Sequence, residues 1–129
     1  MMVIAGLILA GVAALIHVYI FVLESLAWTG SRAQAIFGHT AEQAGPTKAL
    51  AFNQGFYNLF LAVAVFVGIV FVTLGQTAIG ATLVFTGAGS MAAAALVLLL
   101  SSPDKTGAAL KQGVLPALGV IALAIGLAL

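Results

Sequence analysis

The sequence holds no cysteine at all, and its four basic and three acidic residues are thinly spread over 129 positions. Without cysteine there is no disulfide, no thiolate nucleophile and no cysteine-ligated metal or cluster. The shortage of charge excludes more. A soluble domain carries about 25% charged residues because its surface must hold water. Here the share is 5%, against 64% apolar residues, so the outer surface must face lipid. Four basic residues form no patch or stripe of the kind that binds nucleic acid. The expected partner is the bilayer.

What the chain does have is four long apolar runs, each near the ~20 residues needed to cross a ~30 Å hydrocarbon layer. They cover about residues 3–28, 49–72, 78–100 and 107–129. They nearly exhaust the chain, so a single membrane domain of all-α class is expected. Short connections favour an up-down-up-down four-helix bundle. The opening MMVIAGLILAGVAAL lacks the positive n-region of a secretory leader and reads as the first span. Between the first two spans lies the polar stretch SRAQAIFGHTAEQAGPTK. Within it, Ala33 to Phe37 suit a short interfacial helix capped by Ser31. Gly38, Gly45 and Pro46 are the helix-ending residues of that stretch. Pro103 stops the third span, and Pro116 falls inside the fourth, where it frees a carbonyl.

Arg32 and Lys48 flank the first loop, and Lys105 and Lys111 lie in or beside the third. The middle loop and the tails have none. This four-to-zero distribution places loops one and three in the cytoplasm and both termini outside. Small residues at every fourth position supply packing faces in lipid. They are Gly6, Ala10 and Ala14 in the first span, and Gly89 and Ala93 in the third. Packing within the bundle is their ordinary use; a homo-oligomer face is the alternative.

Ionisable groups inside a span cost at least ~2.5–3.5 kcal/mol to insert, so they point inward and mark function. His17 and Glu24 are two turns apart on one helix face, with Trp28 one turn further. The second span opens with FNQGFYN, where Gln54 and Asn58 share a face, as do Asn53 and Tyr57. Gln112 lies just inside the fourth span. By the 1.5 Å rise per residue, these groups fall at matching depths on the side of loops one and three. A polar pocket is expected there, built from His17, Glu24, Trp28, Asn53, Gln54, Tyr57, Asn58 and Gln112. The plainer readings are an interfacial anchor for Glu24 and Trp28, a structural hydrogen bond for His17, and interhelical glue for the amides.

This inventory narrows the chemistry. No metal site is expected, because His17 and Glu24 are two buried ligands where most sites need three or four. No cofactor is indicated: bis-histidine haem would need His39, which lies in the polar loop. No buried serine has a carboxylate for a catalytic triad. Ion conduction is poorly served by spans three and four, whose central thirds carry no ionisable residue.

His17 through Glu24 to Trp28, then NQGFYNLFLA from Asn53 to Ala62, then QGVLPAL from Gln112 to Leu118, resemble the small bacterial membrane-protein family known as domain of unknown function 1304. The resemblance covers nearly the whole chain. It implies motif positions at His17, Glu24, Trp28, Asn53, Gln54, Gly55, Tyr57, Asn58, Gln112, Gly113 and Pro116, and no settled activity. The four-span plan is also similar to that of DoxX-like membrane proteins, at the level of fold. Three functions are compatible with these residues. One is a site that binds or transports a small lipophilic or amphipathic molecule. Another is a membrane-embedded isomerase or epimerase with Glu24 as base and His17 as acid. The last is an accessory subunit of a larger membrane complex.

Overall fold

The computed structural model describes the whole chain, Met1–Leu129. The first long helix, α1 (Met2–Phe21), runs without a break into a π-helical turn, Val22–Leu26. A short α2 (Ser31–Phe37) follows. Then come α3 (Ala41–Thr73), α4 (Thr77–Ser101), a 3-10 turn (Pro103–Lys105) and α5 (Thr106–Ala128). Four of these helical segments, Met2–Leu26, Ala41–Thr73, Thr77–Ser101 and Pro103–Ala128, are long and apolar enough to cross a membrane. The chain is a multi-pass membrane protein and an all-α bundle.

Each long helix packs against two neighbours. The ring runs α1–α3–α4–α5 and back to α1, with only slight contact across the middle between α1 and α4. The termini and the Leu74–Gln76 turn lie at one end of the bundle, hereafter the tail end. The connections around α2 and Pro103–Lys105 lie at the other, the loop end.

Several helix limits differ from the expected ones. Helix α1 with its π turn stops at Leu26, and Ala27 (φ −133°, ψ 25°) turns the chain aside. Trp28 is therefore off the helix rather than one turn along it. Ser31 opens α2 but does not cap it; Gly30 holds that position without a side-chain bond. Helix α3 begins at Ala41, well before residue 49, with Gly45 and Pro46 inside it. The start is fixed by a capping box. Thr40 Oγ1 accepts from the Gln43 amide, and the Gln43 side chain accepts from the Thr40 amide. Such reciprocal bonds satisfy two otherwise orphaned donors. At 1.5 Å per residue the 33 residues of α3 extend roughly 50 Å, beyond a ~30 Å hydrocarbon layer. Its first turns therefore stand clear of the apolar core, where a carbonyl left free by Pro46 can be hydrated.

The tail half is packed through small residues. Its core consists of Ala10, Ala13, Ala14, Ala62, Val65, Val84, Ala88, Met91 and Leu123. Since lipid provides no hydrophobic drive for helices to pair, close backbone contact supplies the attraction. A Cβ on Gly68 would sit 2.7 Å from the Gly80 carbonyl, and one on Gly119 would sit 2.9 Å from the Ala10 amide. Gly6 and Ala10 serve α1 as expected. The Gly89–Ala93 pair does not serve α4: Ala93 is exposed, and a Cβ on Gly89 would meet nothing within 4 Å. Gly80 and Gly87 carry that contact instead.

Candidate functional site

The π turn decides where Glu24 goes. A π turn inserts an extra residue into the helical register and is frequent at functional sites. Here it carries Glu24 and Ser25 against α3. The two backbones approach so closely that a Cβ on Gly55 would collide with Ser25 Oγ and lie 3.1 Å from Glu24 Cβ. Ser25 Oγ donates to the Phe52 carbonyl at 2.8 Å, tying the turn to α3. One turn beyond Gly55, Asn58 Nδ2 donates to Glu24 Oε2 at 2.7 Å and to the Gln54 carbonyl at 3.2 Å. The Gln54 carbonyl can only accept, so the amide nitrogen must face it and Oδ1 must face away.

His17 lies deeper and is 2% exposed. Its Nδ1 is 2.8 Å from the Ala13 carbonyl, which can only accept. Nδ1 therefore carries the ring proton, and in the neutral imidazole Nε2 is an acceptor. Nε2 has no partner in the chain, and neither do Glu24 Oε1 or Asn58 Oδ1. None of the three is sealed in. The one fully buried, unpaired side-chain atom is His39 Nδ1.

These groups meet in a cavity of about 510 Å³ between the four long helices, toward the loop end. His17, Glu24, Gln54, Asn58 and Gln112 form its polar wall, and Leu61, Met91, Ala94 and Leu98 an apolar one. Pro116, buried in α5, has no N–H to return to the Gln112 carbonyl. It therefore frees the backbone oxygen of a residue that lines the cavity.

The mouth is aromatic. Trp28 Nε1 donates to Thr47 Oγ1 at 3.0 Å, and the Trp28 carbonyl accepts from His39 Nε2 at 3.0 Å. The two rings stack with centroids 4.0 Å apart, and the Phe37 ring lies tilted against Trp28 at 5.4 Å. Lys105 stands at the rim, exposed. Outside this region, Arg32 Nη1 donates to Tyr19 Oη at 3.2 Å and ties α2 to α1.

Six of the eight expected site residues line this one cavity: His17, Glu24, Trp28, Gln54, Asn58 and Gln112. Asn53 and Tyr57 do not. They point outward, with Tyr57 65% exposed, and border a shallow groove on the outer side of Glu24 and Trp28. Of the two polar pairs on α3, only Gln54 and Asn58 face inward. The sequence reading missed Phe37, His39, Gln43, Thr47 and Lys105. A signal existed, since the Thr40–Gln43 capping box starts α3 early enough to put Gln43, Thr47, Gln54, Asn58 and Leu61 on one helical face. No group of three or more His, Asp or Glu side chains is placed to hold a metal ion.

No curated protein and no solved structure matches the chain. One family model does, over residues 11–124, and it contains every residue of the cavity wall named above. The chain belongs to the family described as protein of unknown function (DUF1304).

Proposed function

We propose that the protein binds a small amphipathic molecule in the loop-end cavity, polar head toward Glu24, His17 and Asn58. The observation that carries this reading is the set of unpaired polar atoms on one wall of a roomy cavity, facing an apolar wall. Interhelical glue would leave them paired and the space filled, because a polar atom facing hydrocarbon unpaired costs several kcal/mol, on the order of 2–7. Ligand sites in bundles have this mixed character. There is also room for an apolar tail. Phe37, Ala108 and Gln112 line both the cavity and a second, mostly apolar groove of about 330 Å³ between α1 and α5. On the orientation given by Arg32, Lys48, Lys105 and Lys111, the mouth opens to the cytoplasm. The close-packed tail half leaves no continuous path through this conformation, so transport would require the helices to move.

The isomerase alternative fits less well. It assigns Glu24 as base and His17 as acid, whereas the Nδ1–H bond to Ala13 makes neutral His17 an acceptor at the cavity. The test is mass spectrometry of small molecules extracted from purified protein. Unaltered protein is expected to carry a bound amphiphile, lost when Ala94→Phe fills the apolar wall and reduced in Glu24→Gln. An Ala94→Phe protein that folds and retains the same molecule would sink the proposal.

A further inference from the structure

The polar wall has a sign. On His17 and Asn58 the donors are spent within the chain: Asn58 Nδ2 donates to Glu24 Oε2 and the Gln54 carbonyl, and the His17 Nδ1 proton goes to Ala13. The Gln54 and Gln112 amides of the same wall each offer an acceptor as well as donors. What His17, Glu24 and Asn58 leave free is acceptors: Glu24 Oε1, Asn58 Oδ1 and His17 Nε2, the last on a side chain 2% exposed. Glu24 has Asn58 as its polar partner and no basic side chain beside it. Lys105 is at the rim, on the exposed side of the mouth. A carboxyl group within a membrane span, hydrogen-bonded on one oxygen and with no cation beside it, either holds its proton or takes up a positive partner.

From this juxtaposition we infer that the ligand's head is a hydrogen-bond-donating cation, a primary ammonium on an apolar tail. The inference rests on the ligand-binding reading above and names its substrate class. An ammonium offers three N–H donors and no acceptor, the complement of the acceptor atoms that His17, Glu24 and Asn58 leave free in one cavity. An anionic head would meet the Glu24 carboxylate, the one acidic side chain of the cavity. A neutral alcohol would satisfy one acceptor and leave the charge uncompensated.

Trp28 is the single tryptophan of the chain and lines the cavity mouth, so its fluorescence reports occupancy. The intact protein in neutral maltoside micelles at pH 7 is titrated with decylammonium, decyltrimethylammonium, decanol and decyl phosphate. Decylammonium is expected to saturate about tenfold or more tighter than the other three, a margin set by one charge-assisted contact. In Glu24→Gln that preference should fall to about threefold or less. Tighter or equal binding of decyl phosphate or decanol overturns the inference and leaves the binding site standing. So does equal binding of the trimethylated amine, which has the charge and no N–H. If none of the four gives a saturable change, the binding reading itself falls. The four-probe ranking in the unaltered chain decides the matter even where Glu24→Gln does not fold.

Discussion

The two halves of the bundle solve the membrane problem in opposite ways. In the tail half, glycine and alanine bring backbones together until almost no space remains, as at Gly68–Gly80 and Gly119–Ala10. In the loop half the same helices diverge around a cavity, although Gly113 still meets Ala95, and the close approach of Gly55 to Ser25 there serves to place Glu24. One half is closely packed, and the hydroxyls of Thr73, Thr82 and Thr86 are satisfied by carbonyls of their own helices. The other leaves polar atoms without partners along one wall of a cavity.

Substitutions in each half test this contrast. The largest effect is expected from Gly68→Leu in the tail half, where backbone atoms of α4 cannot move aside. A loss of about 3 kcal/mol or more should appear as a collapse of the thermal midpoint in detergent. The contrast with Gly89→Leu, which meets open space, sharpens the point: its midpoint should hold.

Next is Asn58→Leu. It strips the carboxylate of its hydrogen bond, at a cost of about 1.5–3 kcal/mol, and should abolish capture of the amphiphile. Asn53→Ala, one turn earlier on the outward face, should stay within about 0.5 kcal/mol of the unaltered protein. Equal losses for Asn53→Ala and Asn58→Leu would erase the distinction between the inward and outward pairs.

Gly55→Ala should cost about 1–3 kcal/mol by pushing the π turn off α3. Adding Ser25→Ala removes the hydroxyl that the new methyl meets and should restore part of that loss. A double variant no better than the single one would mean that Gly55 matters for some other reason. A smaller loss is expected of Trp28→Phe, which keeps an aromatic face but loses the bond to Thr47, about 1 kcal/mol. Thermal melts with and without decylammonium would place that loss in the ligand-free or the bound protein.

Much of the fold was readable before any coordinates, because membrane spans are written in length and composition. The site was readable where burial of polar groups is expensive: His17, Glu24, Gln54, Asn58 and Gln112 stand out for that reason and do meet. The errors fall where local geometry overrides periodicity. A π turn and the break at Ala27 take Trp28 off the helix face. The capping box at Thr40 extends α3 past residues that ordinarily end helices. Asn53 and Tyr57 share a periodic face that looks as polar as its neighbour, and periodicity gives no sign of which of two adjacent faces turns inward.

By itself, then, the sequence determined that this chain lies in lipid as four helices and that its few polar side chains gather at one depth. Both follow from the free energy of placing groups in hydrocarbon, which depends on residue type and position along the helix. Only the tertiary structure decided which atoms of those side chains are spent and which are free. Hydrogen bonds pair single atoms at about 3 Å, so which atoms of Glu24, Asn58 and His17 stay free rests on their placement relative to one another, to Gln54 and to Ala13. No count of residues contains that information.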